Sequence, residues 1–436
     1  MQNAYRPIRV ALLGAGSVGS QVARLLLEHK SELASRVGAE LELVGIAVRD
    51  LKSKRNANLP SDLLTTDAEK LILSADIVIE LIGGIDPARD WVKLALNSGA
   101  DVITANKALI AAHGPELFEL AQKLGAQLYF EAAVAGAIPI IRPLRESLAG
   151  DRVNKVMGIV NGTTNFILDQ METTGANFND ALKEAQNLGY AEADPTADVE
   201  AFDAASKAAI LSSLAFHSEV PVEKVYREGI TKISAAQISD AKAAGYTVKL
   251  LAICERVVEG GKEGIVARVH PTLIPVTHPL AAVHGAFNAV FVEAESAGQL
   301  MFYGAGAGGP QTASAVLGDL VSAAKRHLAG GPGLADSTHA NLPLLPIDAA
   351  ETRYQISLLV KDLPGVLAKI ANVFAEHGVS VETVQQSVAA HHDKQVAMLS
   401  VMTHSAKEAS LAAVVNSLKQ NDSVEEVASV IRVEGI

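Results

Sequence analysis

The sequence predicts an α/β chain in three parts: a doubly wound parallel sheet, an α+β middle, and a tail of ferredoxin-like plan. Three observations carry this. Aliphatic runs at 8–13, 41–48, 76–82, 101–104 and 127–130 alternate with helical stretches, the rhythm of a mostly parallel sheet. Between about 145 and 330 the order changes, and long helical stretches (166–173, 179–187, 199–216) sit beside strands at 152–160, 247–258 and 265–272. From 350 onward the order strand–helix–strand–strand–helix–strand can be followed residue by residue. The 436 residues suit such a division, since domains commonly hold about 100–200 residues. The parts are expected at 1–145, 146–330 and 350–436, joined by a Gly- and Pro-rich linker at 331–349. The last helices of the middle part are expected to pack back on the first.

Each element has a local reason. Ile8-Arg9-Val10-Ala11-Leu12-Leu13 is a short β-forming run that meets Gly14-Ala15-Gly16-Ser17-Val18-Gly19 directly. A helix follows from Ser20, with Val22, Leu25 and Leu26 on one face. Strand, glycine turn and helix together make the Rossmann-type dinucleotide fingerprint. The first glycine permits the tight turn, the second lets a pyrophosphate approach the backbone, and the third lets helix and strand pack. The second strand ends in Val48-Arg49-Asp50. An acid there would hold the ribose 2′-OH of NAD and an arginine the 2′-phosphate of NADP. Arg49 comes first, so NADP is favoured, with NAD tolerated.

In the tail, 354–360 is a strand and Asp362 is placed to cap a helix whose apolar face is Val366, Ile370, Val373 and Phe374. Gly378 ends that helix, and strands follow at 379–384 and 395–403. Ser405-Ala406-Lys407-Glu408 reads as a capping box before a helix bearing Leu411, Val414, Val415 and Leu418. A strand at 427–433 closes the plan.

Composition narrows the function. With 37 Lys+Arg against 49 Asp+Glu the net charge is -12, and no basic cluster offers a nucleic-acid or anionic-membrane surface. No apolar run approaches the ~20 residues of a membrane span, and the stretch after Arg6 and Arg9 is too short for a signal segment. A single cysteine, Cys254 in apolar surroundings, fits a reducing cytosol and reads as a buried inert thiol.

The chemistry concentrates in two places. The turn Gly189-Tyr190-Ala191-Glu192-Ala193-Asp194-Pro195-Thr196-Ala197-Asp198 is crowded with carboxylates and leads into a helix holding Asp203 and Lys207. These two are i and i+4 on a face shared with Ile210, Leu211 and Leu214. They make either a surface ion pair or a partly desolvated lysine able to act as a general acid, beside carboxylates able to hold a substrate ammonium. Lys107, just after the strand 101–104, stands at the carboxyl edge of the sheet, where open α/β sheets bind ligands. A second run, Gly304-Ala305-Gly306-Ala307-Gly308-Gly309, lacks the ending of a nucleoside-triphosphate loop and is either a pocket lining or a hinge. His270, His278 and His284 lack metal-site spacing.

With these residues in place, the sequence resembles homoserine dehydrogenase of the monofunctional type with a C-terminal ACT domain, over essentially its whole length. The most specific pieces are Asn161-Gly162-Thr163-Thr164-Asn165-Phe166-Ile167-Leu168, the 188–195 turn, Asp203-Ala204-Ala205-Ser206-Lys207, and the second glycine run with Thr312-Ala313-Ser314-Ala315-Val316. Asp362-Leu363-Pro364-Gly365-Val366-Leu367 is similar to ACT modules, which bind regulatory amino acids. No aspartate kinase segment precedes, so the fused form is not expected.

The resemblance implies reversible NAD(P)-dependent interconversion of L-aspartate 4-semialdehyde and L-homoserine. It implies Lys207 as proton donor to the aldehyde oxygen, with Lys107 lining the same site. It implies Glu192 and Asp203 on the substrate ammonium, with Thr163, Tyr190 and Asp198 alongside. Gly189, Gly304 and Gly306 would touch the cofactor, which turns the second glycine run towards pocket lining. A structural monovalent cation such as Na+ would be held by Glu131 and the backbone of Val134, Gly136 and Ile138. Threonine is the expected effector, and a homodimer or homotetramer in the cytoplasm the expected assembly. Deleting the tail beyond about 345 is expected to leave catalysis and remove inhibition. Two other readings remain open: a dinucleotide- and amino-acid-binding regulator without turnover, and a thioester-forming semialdehyde dehydrogenase, for which Cys254 is a poor nucleophile.

Overall fold

The first five apolar runs do form one parallel sheet. In the computed structural model, which describes residues 6–53, 57–330, 338–391 and 394–435, β1 (Ile8–Leu13) lies inside it. Around it stand β2 (Leu41–Ala47), β4 (Ile77–Glu80), β5 (Asp101–Thr104) and β6 (Leu128–Tyr129), and a short strand not expected from the sequence, β3 (Leu64–Thr65), extends the edge. The order is β3-β2-β1-β4-β5-β6, so the direction of winding reverses between β1 and β4, the switch point at which such sheets bind ligands. Strands buried on both faces explain the unbroken aliphatic runs: Val10, Leu12, Ile77, Val78, Ile79, Val102 and Ile103 are all fully buried. Burying each such side chain stabilises the fold by about 1.5–3 kcal/mol.

The chain divides into two compact units, Met1–Gly162 with Ser206–Glu223 and Phe287–Leu342, and Thr163–Ala205 with Lys224–Ala286 and Pro343–Ile436. The first unit holds the parallel sheet and a second, antiparallel set: β7 (Val153–Ile159) pairs with β11 (Phe287–Ala294), which pairs with β12 (Gly298–Ala305). The helix Gly309–Ala329 returns to the parallel sheet, and its Ala313, Val316, Leu320 and Ala323 share one core with Val22, Ala23 and Leu26.

In the second unit β9 (Tyr246–Glu259) and β10 (Lys262–Pro275) form a long hairpin, and β8 (Tyr226–Arg227) lies parallel against β10. The tail is the expected four-stranded arrangement: β13 (Glu351–Lys361), β14 (Val381–His391), β15 (Lys394–Thr403) and β17 (Val424–Val433) stand in the order β17-β13-β15-β14, and β16 (Ala406–Lys407) touches the start of β13. Its core packs Ile356, Leu358, Phe374, Leu399, Leu411 and Leu418.

The tail is not a detachable bead. β17 runs parallel to β10, pairing Thr272 with Arg432 and Leu273 with Val433, and Glu434 N donates to Leu273 O at 3.0 Å. Arg268 of β10, 1 % exposed, is held between Glu255 and Glu434, with Nη2 at 2.6 Å from the latter. Burial opposes its charge, but Glu255 and Glu434 outweigh that and hold its pKa above the ordinary arginine value. Removing the residues beyond 345 would strip a strand from β10 and one of its two acids from a buried guanidinium.

Several local expectations also change. The helix after Asp362 begins at Val366 with Gly365 in the left-handed region as its cap. The helix after Ser405 runs Glu408–Lys419 with Lys407 as an N-cap that makes no side-chain bond. The 405–408 capping box does not form, because Glu408 turns inward to Tyr354 Oη at 2.7 Å and to Arg432. The single helix expected over 199–216 is two, Thr196–Val199 and Phe202–Phe216, broken where Ala201 adopts φ +64°. Of the linker expected over 331–349, residues 331–337 lie outside the described residues, while Pro343 and Leu345 bond along β10 through Ile265 at 2.9 and 2.7 Å. Among the described residues no helix is long and apolar enough to cross a membrane.

Candidate active site

The glycine turn is built to take an anion. Gly14 sits at φ +97°, and a Cβ on it would fall 2.8 Å from Leu81 O. A Cβ on Gly19 would fall 2.0 Å from Gly14 O, so turn and helix touch backbone to backbone. Gly16 faces open space. It is the N-cap of the helix Ser17–Glu28, has no side chain to satisfy the first N–H groups, and no acid stands in the first turn. An unsatisfied, partly positive helix terminus at a switch point, with room for a phosphate, fits a dinucleotide. Ala15 and Val18 are half-buried in the same turn and Ser17 is exposed.

The second glycine run reaches that turn. A Cβ on Gly309 would fall 2.9 Å from Ser17 O, and one on Gly136 would fall 2.4 Å from Gly306 O. Ala137 N donates to Ala305 O at 3.0 Å. A Cβ on Gly306 would fall 2.1 Å from the fully buried amide of Asn288. The 14–19 turn, the 304–309 loop and the 134–138 bend thus gather at one place in the first unit. Gly304 lies half-buried on β12 beside Ile138.

Two residues that sequence reasoning passed over shape the carboxyl edge of the sheet. Glu80, fully buried at the end of β4, accepts from Ile82 N at 2.8 Å, Gly83 N at 3.3 Å and Thr104 Oγ1 at 2.6 Å. One carboxylate thereby fixes the exits of both β4 and β5. Asn106 caps the next helix, accepting from Leu109 N at 3.1 Å, while its Nδ2 donates to Gly84 O at 2.5 Å. Lys107 is the first residue of that helix, Lys107–Leu124, and is exposed at the sheet edge. The available signal for Glu80 was a lone carboxylate ending an otherwise aliphatic strand.

Lys207 lies on the helix Phe202–Phe216 and is only 8 % exposed, its Nζ donating to Val160 O at 2.6 Å just beyond β7. At that burial Lys207 is not part of a surface ion pair. Asp203, one turn earlier on the same helix, is 7 % exposed.

The acid-rich turn belongs to the second unit. Thr163 Oγ1 donates to Tyr190 O at 2.6 Å, and the ring of Tyr190 lies 5.0 Å from that of Phe166. Gly189 takes φ +76°, which a side chain would resist. Glu192 is exposed and Asp198 half-buried. Asp194 is occupied locally: Thr196 hydroxyl and amide donate to it at 2.6 and 3.1 Å and hold its carboxyl below the usual range.

The expected cation ligand set fits only in part. Glu131 is buried, but Oε1 accepts from Ile140 N at 2.6 Å and Ile141 N at 2.8 Å, and Oε2 from Arg142 N and Nε at 3.0 and 2.9 Å. That carboxylate accepts from four N–H donors of the 131–142 bend. A cavity of about 630 Å³ runs beside the helices Lys107–Leu124 and Phe202–Phe216, lined in part by Ile110, Phe118, Arg145, Leu214 and His217. None of the expected catalytic, substrate, cofactor or cation residues lines it, although Ile210 and Leu214 of the Lys207 helix do.

A parallel sheet with a dinucleotide turn at its switch point, a buried lysine, an acid-rich turn and an ACT-like tail define a nicotinamide-dependent oxidoreductase with a regulatory module. Comparison with known proteins agrees. The sequence matches the homoserine dehydrogenase family over residues 139–321, its NAD-binding domain over 14–131 and the ACT domain over 354–422. It is 55% identical to the homoserine dehydrogenase of Corynebacterium glutamicum, across 98% of this chain and 96% of that one. The crystal structure of a homoserine dehydrogenase from Thiobacillus denitrificans superposes with TM-score 0.91 at 41% identity, covering 99% of each chain. A hyperthermophilic archaeal homoserine dehydrogenase in complex with NADPH superposes with TM-score 0.61 at 28% identity over 75% of this chain and 99% of that one. The chain belongs to the homoserine dehydrogenase family, NAD(P)-dependent oxidoreductases that act on a CH–OH group.

Proposed function

We propose that Lys207 moves the proton at the reacting oxygen in the interconversion of L-homoserine and L-aspartate 4-semialdehyde. The observation that carries this is its burial with Nζ anchored on Val160 O, in a chain whose full length matches that family. The dinucleotide, when bound, supplies or accepts the hydride. In the reducing direction the Lys207 ammonium stabilises the developing alkoxide and then protonates it; in the oxidising direction the neutral amine takes the hydroxyl proton. Lys107, exposed at the sheet edge, lines the same site. Glu192 and Asp203 hold the substrate ammonium, with Thr163, Tyr190 and Asp198 around it. Gly189, Gly304 and Gly306 meet the cofactor through their backbones. A monovalent cation, in a structural role, would be held by Glu131 and the backbone of Val134, Gly136 and Ile138.

The cofactor reading is NADP, with NAD tolerated. Arg49 stands exposed two residues past β2, while Asp50 accepts from Lys52 N at 2.9 Å and Ser53 Oγ at 3.0 Å within its own turn. A carboxylate engaged this way is poorly placed for a ribose hydroxyl, and the guanidinium suits a 2′-phosphate. The NADPH held by the archaeal relative supports this reading. Replacing Arg49 with Ala should raise KM for NADP about 10- to 100-fold, the weight of a charge-assisted hydrogen bond, and leave KM for NAD nearly unchanged. Equal effects on both cofactors would remove Arg49 from the 2′-phosphate.

The effector reading is threonine on the ACT domain of a cytosolic homodimer or homotetramer. Initial rates with homoserine and either dinucleotide, with and without millimolar threonine, test the whole reading. Turnover with NADP preferred and threonine inhibition is expected. Turnover with neither dinucleotide, in protein that binds NADP, would overturn the catalytic roles.

A further inference from the structure

We propose that Arg432, in the last strand of the ACT module, is a positioning residue for the turn at 198–203, acting through Glu228 and the strap 226–231. The inference rests on the reading that Asp198 and Asp203 hold the substrate.

Arg432 sits where the ACT module meets β8. Its Nε and Nη2 donate to Glu408 Oε1 at 2.9 and 2.6 Å, Nη1 donates to Glu228, and Nη2 approaches Tyr226 Oη at 3.3 Å. The guanidinium also lies over the rings of Tyr226 and Tyr354, 5.2 and 5.7 Å from their centres. Glu408 and Tyr354 belong to the ACT module; Tyr226 and Glu228 belong to the strap. One planar cation thus joins the two in a fixed geometry, which a lysine at the same position would not reproduce.

The far side of the strap grips the substrate turn. Arg227 stacks its guanidinium 3.6 Å over the ring of Phe202, the neighbour of Asp203. Ile230 N donates to Val199 O at 2.8 Å, and Thr231 Oγ1 donates to Glu200 Oε1 at 3.0 Å. A Cβ on Gly229 would fall 2.3 Å from Val199 O, so strap and turn meet at backbone distance. Between these holds lies Ala201 at φ +64°, a conformation an alanine keeps only when its surroundings impose it. The strap is itself seated on β10, with Glu228 N donating to Val269 O at 2.8 Å. From Arg432 to Asp203 every step is a contact between packed or hydrogen-bonded groups, the physical continuity that coupling requires. A ligand of the ACT module that shifts Glu408 or β17 then acts directly on the turn that orients Asp198 and Asp203.

The test compares full-length Glu228→Gln, Arg432→Lys and the double variant with wild type. Arg353→Ala serves as control, because its ion pair with Glu382 at 2.9 Å lies within the ACT module. Three quantities are read: KM for homoserine, KM for NADP, and amide hydrogen exchange in 196–205 against 14–28. Both single variants should raise the homoserine KM roughly 3- to 30-fold and speed exchange in 196–205. KM for NADP and exchange in 14–28 should not move, and the double variant should be no worse than the worse single. Glu228 is half exposed, so Glu228→Gln carries the test if Arg432→Lys fails to fold. An unchanged homoserine KM, an equal rise in both KM values, or unchanged exchange in 196–205 for Glu228→Gln overturns the proposal. If wild-type protein does not oxidise homoserine, the reading of the site fails instead, and the exchange experiment still decides whether Arg432 orders the turn.

Discussion

Replacing Lys207 with Ala should lower turnover by roughly 10²–10⁴ while NADP binding is retained, the usual cost of removing a positioned acid–base group. The separation follows from placement. The dinucleotide turn is made by Gly14, Gly16 and Gly19 with the helix Ser17–Glu28, whereas the Lys207 side chain donates to Val160 O. Fluorescence titration with NADPH and steady-state rates in both directions would measure the two quantities. Near-wild-type turnover would remove Lys207 from proton transfer. Lys207→Arg is an informative companion, since it keeps a cation at the site but cannot act as a neutral base near pH 7. The oxidation direction should then suffer more than the reduction.

The second large effect is on stability. Arg268→Ala leaves Glu255 and Glu434, 12 % and 6 % exposed, facing each other without their shared cation. Breaking a buried ion pair from one side costs about 3–5 kcal/mol, most of it the penalty of the charge left behind. In a chain of two compact units the loss should appear as a lowered unfolding transition of the unit that contains β10, with the nucleotide-protected transition in place. Combining Arg268→Met with Glu255→Gln and Glu434→Gln should recover part of it. An unchanged melting profile for Arg268→Ala would mean that the two carboxylates find water or protons at no cost.

What could be read from the sequence is what depends on neighbours in the chain. The β1 turn was legible because strand, three glycines and helix are contiguous, and so was the strand–helix order of the tail, whose core residues Ile370, Val373, Phe374, Leu411, Val414 and Leu418 follow helical spacing. Features with no local signal are bonded outside their own turn or strand. Ser405 loses its box because Glu408 is drawn to Tyr354 and Arg432. Glu131 is taken by the amides of 140–142 and by Arg142. Arg6 and Arg9, visible only as charges ahead of an apolar run, both clasp Asp76. The break at Ala201 had no local signal at all, since nothing in Val199-Glu200-Ala201-Phe202 asks for a left-handed residue. The strap 226–231 meets the turn on both sides of Ala201, through Ile230 N on Val199 O and Arg227 on the ring of Phe202.

The pairing of β10 with β17 also sets an order of events during synthesis. Residues 262–275 leave the ribosome long before 424–434, so a nascent chain carries a finished hairpin whose edge is still open at Thr272 and Leu273 and a buried-to-be arginine lacking one of its acids. Such an edge invites pairing with other chains until its own partner emerges. Partial translation products should therefore be the aggregating species and prime clients for chaperones. A protein tag inserted between Lys419 and Val424 should be far more damaging to soluble yield than the same tag placed after the final residue.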